Sequence, residues 1–195
     1  MLDARNFWYL RHGETDWNRQ GLSQGRTDIA LNETGERQAH GAGKILQDRA
    51  EGIMPIVRIV SSPLGRALTT AQVVASYISS SDRRVEVTVD PDLQEVCFGE
   101  QEGCPMGDWY DSWIAGEFTP KGAETFSELM QRAVAAVNRA TEGEGAVLIV
   151  AHGALFRALR AAMKLPANVR LPNAVPLVVE APLNEAGSWT LQHLE

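Results

Sequence analysis

The sequence predicts an α/β fold: a mixed, mostly parallel sheet with helices on both faces. Strand-length apolar runs alternate with segments of helical periodicity along most of the chain. Two of those runs, Phe7–Leu10 and Ala146–Ala151, each end in a His-Gly pair, within Arg11-His12-Gly13 and at His152-Gly153. Two short strand-like segments close the chain around a turn, which adds an antiparallel edge. In open α/β sheets ligands bind beyond the carboxyl ends of the strands. If the two His-Gly strands are parallel neighbours, both imidazoles face one crevice, and the arginines nearby suit a phosphate guest.

Each element has its own reason. Residues 6–11 read as a strand. Residues 12–33 lack periodicity and are rich in Gly, Asn, Asp and Gln, which predicts a long functional loop. Thr34 is the expected N-cap of a helix to about Ala50. Ile56–Val60 is a second strand, and Ser61-Ser62-Pro63 should start a helix to about Ile78, with Pro63 at its first position. Val85–Val89 alternates and stops at Asp90-Pro91. Residues 93–122 are irregular and hold Trp109, Tyr110, Trp113 and Phe118. Helical spacing returns from Ala123 to about Thr141 through Phe126, Leu129, Met130, Ala133, Val134 and Val137. After the second His-Gly strand, a helix from about Ala154 to Met163 stops before Pro166. Val175–Glu180 and Ser188–His193 are the closing strands, around the turn Asn184–Gly187. With no repeat, low-complexity tract or linker, residues 1–195 are expected to form one domain with a lid-like insertion at about 99–122.

Composition narrows the function. The chain has 195 residues, 44% of them hydrophobic, which fits a folded domain with a sizeable core. Lys plus Arg number 18 against 25 Asp plus Glu, a net charge of -7. That balance disfavours nucleic acid or an anionic membrane as partner, so an anionic substrate must be caught by a local arginine cluster. Cys97 and Cys104 have no second Cys/His pair at zinc spacing, so two free thiols and no metal site are expected. No basic segment followed by a long apolar stretch opens the chain, and no apolar run reaches membrane-spanning length. A cytoplasmic enzyme is the default expectation. The oligomeric state is left open, a homodimer being one option.

Phosphoryl transfer through histidine needs a neutral imidazole nucleophile. It also needs cations on the non-bridging oxygens, an acid for the leaving alkoxide and a base for water. His12 sits at a strand end beside Arg11, and an adjacent cation keeps an imidazole unprotonated. Arg66 lies early in a helix, and arginine binds phosphate with two parallel donors. Glu95 sits in Leu93-Gln94-Glu95-Val96, where apolar neighbours and a bound dianion should favour its protonated form, as a general acid requires. His152 and the Gly153 amide precede a helix start and could both reach a phosphate oxygen, with each charge-assisted bond contributing roughly 1.5–3 kcal/mol. Taken singly these residues have plainer readings: a strand-end histidine also satisfies buried hydrogen bonds, and Glu95 or Arg66 could be ordinary surface and helix residues.

Leu10-Arg11-His12-Gly13-Glu14-Thr15-Asp16-Trp17-Asn18 resembles the signature of the histidine phosphatase superfamily, in its phosphoglycerate mutase-like branch. The resemblance continues through Gln24–Asp28, Leu31–Gly35, Ser61–Ala67 with Thr70-Ala71, Leu93–Glu95 with Gly99 and Glu102-Gly103, and Ala151–Gly153. It implies a three-layer α/β sandwich, His12 as the phosphorylated nucleophile and Glu95 as proton donor. It also implies Arg11, Arg66 and His152 around the phosphate, further hydrogen bonds from Asn18, Gln24 with Gly25, and Gly153, and no metal or organic cofactor. Mutase members resemble one another in a basic insertion after the glutamate. Here Phe98–Trp109 holds three acids and no Lys or Arg, and resembles the phosphatase members instead. A phosphomonoesterase acting on a small phosphorylated metabolite is therefore expected; a cofactor-dependent phosphoglycerate mutase and a non-catalytic phospholigand-binding scaffold are the alternatives. The aromatic cluster either walls the leaving group or packs the insertion onto the sheet.

Overall fold

The computed structural model describes residues 1–184 and 186–195. Six strands form one sheet in the order β3-β2-β4-β1-β5-β6. They are β1 (Phe7–Arg11), β2 (Ile56–Ser61), β3 (Val87–Val89), β4 (Ala146–Ala151), β5 (Leu177–Glu180) and β6 (Thr190–His193). β3, β2, β4 and β1 run parallel, while β5 is antiparallel to both β1 and β6. The helices are α1 (Asp16–Gln20), α2 (Glu33–Ile53), α3 (Gly65–Ile78), α4 (Trp109–Ile114), α5 (Phe126–Ala140) and α6 (Gly153–Ala162). None is long and apolar enough to cross a membrane.

The three layers follow from the period-2 alternation of strands buried on both faces. On β1, Trp8 and Leu10 join Leu148 and Val150 of β4 under α2 and α3. Phe7 and Tyr9 join Val147, Ile149 and Ala151 under α4, α5 and α6. Fully buried residues such as Leu46, Ile59 and Leu155 each contribute roughly 1.5–3 kcal/mol by leaving water.

Several boundaries differ from expectation for physical reasons. The stretch 12–33 is not all loop: α1 forms on a capping box in which Thr15 and Asn18 satisfy each other's orphan amides. α2 is capped by Asn32, not Thr34; the Asn32 side chain accepts the Gly35 amide at 2.9 Å. α3 starts at Gly65, not Pro63, because Leu64 stays extended. Its first amide is met by Asp28 from a distant loop, at 2.9 and 3.0 Å. Within 93–122, α4 inserts Trp113 and Tyr110 into the core while Phe118 stays exposed. The predicted turn at 184–187 includes Glu185, which lies outside the described residues; the Gly187 amide donates to the Asn184 carbonyl at 3.0 Å.

Candidate active site

β1 and β4 are parallel neighbours with Arg11 opposite Ala151, so the next residue on each, His12 and His152, arrives at the same level. Their ring centroids are 5.3 Å apart. Gly13 makes this packing possible: a Cβ there would collide with the backbone of Gly35, at the start of α2.

His12 is 2% exposed. Its Nδ1 lies 2.7 Å from the Gly13 carbonyl, an acceptor only, so Nδ1 carries the ring proton and Nε2 keeps its lone pair. Burial, and then the charges of Arg66 and Arg11, push this imidazole well below its ordinary 6.5. His152 is completely buried and is pushed down by burial, Arg66, His12 and Arg11. Its Nε2 meets the Ser62 hydroxyl at 2.6 Å, and its Nδ1 is buried without a protein partner. The Tyr9 hydroxyl grips its backbone, accepting the His152 amide at 3.1 Å and donating to the His152 carbonyl at 2.8 Å.

Two guanidiniums flank the histidines. Arg66, 1% exposed, donates to the Thr27 carbonyl at 2.8 Å and the Gly25 carbonyl at 2.7 Å, with Asp28 at 3.9 Å. Gly25 can present that carbonyl because it takes φ 55°, in the left-handed region. Arg11 donates to the Leu171 carbonyl at 2.7 Å, and burial lowers it to about 10. The Nε atoms of both arginines are buried and unpaired, donors without an acceptor.

Glu95 lies across the cavity. Its apolar neighbours Leu93 and Val96 turn into the core, and the carboxylate itself faces amides rather than apolar surface. It accepts from Val96, Ala154 and Leu155 at 3.0 Å each, the last two at the N-terminus of α6. The backbone of this segment is clamped by Arg132, which donates to the Asp92 and Gln94 carbonyls and forms a two-pronged pair with Glu124. Glu102 ties the acid segment to the arginine perch. Its Oε1 accepts the amides of Arg26 and Phe98, and its Oε2 accepts the amide and hydroxyl of Thr27.

Asn18 and Gln24 have their amide oxygens occupied, by the Thr15 amide with Asn173 and by the Thr15 hydroxyl, respectively. Neither NH2 group donates to a described residue. All of the residues expected from the sequence except His152 line one cavity of about 320 Å3, a volume suited to a small metabolite. His152 does not line it and is fully buried next to His12.

Several contributors escaped the sequence reading. Arg157 and Arg170 line the cavity, as do Met106 and Leu171. The first two are cations in the region where arginines were sought only within 98–109. Arg157 stands five residues past His152 on α6, a position that helical geometry turns toward the same end of the sheet. Arg170, in the loop after α6, carried no local signal. Tyr110 belongs to both readings of the aromatic cluster, since it packs on Phe98 and Trp113 and also lines the cavity. Lys121 is exposed and does not line it. Among the described residues no cluster of His, Cys, Asp or Glu is placed to hold a metal ion.

Fold and site together define an α/β protein that offers a neutral imidazole and a ring of unpaired N–H donors to an anion. The comparisons agree with that class. A sequence profile of the Histidine phosphatase superfamily (branch 1) matches residues 7–190, and the chain belongs to that family. It is 39% identical over 153 residues to a phosphatase designated PhoE from Bacillus subtilis, across 77% of this chain and 72% of the relative. It is 32% identical to a probable phosphoglycerate mutase, GpmB, from Erwinia tasmaniensis, across 83% of this chain and 76% of that one. Among solved structures, a mycobacterial glucosyl-3-phosphoglycerate phosphatase superposes with a TM-score of 0.79 at 29% identity, covering 97% and 98% of the two chains.

Proposed function

We propose that this chain is a phosphomonoesterase that hydrolyses a small phosphorylated metabolite through a phosphohistidine on His12. One observation carries the reading: the Gly13 carbonyl fixes the His12 proton on Nδ1, leaving Nε2 as a lone pair between two arginines at the cavity wall. Nε2 attacks phosphorus as the ester P–O bond breaks. The unpaired Nε–H groups of Arg11 and Arg66, the NH2 groups of Asn18 and Gln24 and the Gly153 amide meet the non-bridging oxygens from the cavity lining, and His152 Nδ1, unpartnered beside His12, adds a further donor. Ser62 donates its hydroxyl proton to His152 Nε2, which makes Nδ1 the donor. Glu95 gives a proton to the leaving oxygen. It then takes one from water as the water oxygen displaces His12 from phosphorus, releasing inorganic phosphate.

Rapid-quench labelling with a 32P-labelled monoester tests this. The expected result is an acid-labile phosphoprotein that is absent from His12→Ala. Turnover without any such species in the wild type would overturn the mechanism. The mutase reading is favoured by one observation, the presence of Arg157 and Arg170 in the cavity. Isomerisation of 3-phosphoglycerate primed with 2,3-bisphosphoglycerate, faster than phosphate release, would make it the better one.

A further inference from the structure

In His12, Gly13 and Glu14 every backbone hydrogen-bonding group is paired within the protein. The His12 amide donates to the Ala151 carbonyl, and the His12 carbonyl accepts from Asn173. The Gly13 amide donates to the Thr70 hydroxyl at 3.1 Å, and the Gly13 carbonyl meets His12 Nδ1. The Glu14 amide donates to Gln38 Oε1 at 2.8 Å, and the Glu14 carbonyl accepts the Asn32 amide at 3.0 Å. The two peptide planes that meet at Gly13 are therefore pinned by side chains of different helices, Thr70 of α3 and Gln38 of α2.

Pinning is needed because position 13 has room only for glycine, and a residue without a Cβ turns its peptides more readily than any other. The Gly13–Glu14 plane matters most, since its carbonyl holds the His12 proton on Nδ1. If that plane turned, Nδ1 would lose its acceptor. A ring protonated on Nε2 instead has no lone pair there to attack phosphorus. Gln38 acts on the other end of this same plane. It lies three residues past Gly35 on one face of α2, and a Cβ on Gly35 would fall on the Glu14 carbonyl, so the helix lies close against the turn. By accepting the Glu14 N–H, Gln38 fixes the plane. It also polarises the amide, because hydrogen bonds in a chain strengthen one another. Thr70 has a second partner in the Arg66 carbonyl, whereas the Gln38 side chain makes no other hydrogen bond among the described residues. Gln38 does not line the cavity.

We propose that Gln38 is a positioning residue for phosphoryl transfer: through the Glu14 amide it holds the peptide whose carbonyl keeps His12 in the tautomer with a bare Nε2. This deepens, and rests on, the reading of His12 as the nucleophile of a phosphomonoesterase.

Gln38→Met keeps the length and helix preference of the side chain and removes the acceptor; Gln38→Glu returns an acceptor at the same reach. Gln38→Ala repeats the deletion should methionine pack badly. Two quantities are read on each variant. One is the protonation of the His12 ring nitrogens, by NMR on protein labelled with 15N-histidine at mildly alkaline pH, the signal being assigned by its loss in His12→Ala. The other is steady-state phosphate release from p-nitrophenyl phosphate. In Gln38→Met the Nε2-protonated tautomer should appear beside the wild-type one, and kcat should fall about three- to tenfold at unchanged KM, the worth of one neutral hydrogen bond. In Gln38→Glu the wild-type spectrum should return, with kcat within about twofold of wild type. An unchanged His12 spectrum in Gln38→Met and Gln38→Ala overturns the proposal. So does a loss of kcat that Gln38→Glu shares, which would mark a packing role. A tautomer shift in Gln38→Met, with no phosphate released by the wild type, would overturn the phosphatase reading and leave the hold of Gln38 on the proton standing.

Discussion

The two His-Gly strand ends are written alike in the sequence and finished differently in space. His12 spends Nδ1 on the carbonyl of its own neighbour and keeps Nε2 free. His152 spends Nε2 on Ser62, ninety residues away, and keeps Nδ1. One ring is fixed by a local bond and lines the cavity; the other residue is fixed by tertiary bonds through Ser62 and Tyr9 and is fully buried. The dipeptide sets where an imidazole stands, and its hydrogen-bond partner sets which nitrogen is left to act. In the proposed mechanism the first end serves as the nucleophile and the second as a support for charge.

The sharpest way to break that comparison is to delete each ring in turn. His12→Ala should lose on the order of 10⁴-fold or more in kcat, together with the labelled intermediate. His152→Ala should lose about 10²–10³-fold, as for one transition-state hydrogen-bond donor, yet still become labelled. Labelling that survives in the first variant and vanishes in the second would reverse the two assignments.

Arg66→Gln probes why the first ring stays neutral, and should cost about 10²-fold in kcat/KM through its lost phosphate contact. Because Arg66 helps hold His12 below 6.5, the acid limb of kcat/KM should lie below pH 6.5 in the wild type and move upward in this variant. An unmoved limb would show that Arg66 does not help set the protonation of His12. The same depression affects stability. Both histidines bind protons more weakly folded than unfolded, so stability is complete above pH 6.5 and falls as pH drops below it, less steeply in His152→Gln.

Glu102→Gln leaves both rings in place and loosens the frame between them. One oxygen that now accepts two bonds becomes an NH2 facing donors, so Arg26 or Thr27 loses its tether, and Arg66, held on the Gly25 and Thr27 carbonyls of the same loop, loosens on its perch. A fall of about tenfold in kcat/KM, carried mostly by KM, is expected. Restoration by nothing but a carboxylate would separate positioning from bulk packing. The smallest effect belongs to Ser62→Ala, a few-fold in kcat and about 1 kcal/mol in denaturant unfolding, since it strips His152 of its partner but not of its place.

How much could be read in advance depended on the range of the interaction. β1 and β4 were legible because a strand buried on both faces needs an unbroken apolar run, and Trp8-Tyr9-Leu10 and Val147–Val150 supply one. The chemistry at their ends was legible because His, Arg and Glu are rare in such places. Local caps lay within the sequence's reach but were not picked out: Asn32 caps α2 where Thr34 was expected, and Thr125 with Glu128 caps α5, which was expected to start at Ala123, whereas α3 takes its cap from Asp28, far outside its own segment. The same limit hid Arg170, which reaches the cavity only through the loop after α6, whose Leu171 carbonyl meets Arg11. Glu95 was found but misjudged: its neighbours in sequence are apolar, and its neighbours in space are the amides of α6.

The Tyr9 hydroxyl has a consequence for how this protein tolerates change. Position 9 lies in the middle of the sheet, where phenylalanine has nearly the same shape and ordinarily substitutes without harm. Here Tyr9→Phe would strand the His152 amide without an acceptor, at about 1–3 kcal/mol, and loosen a residue that the proposed mechanism uses. A survey of sequence variation at this interior site would therefore reflect selection on turnover as much as on folding. The boundary between scaffold and machinery runs through a single oxygen atom.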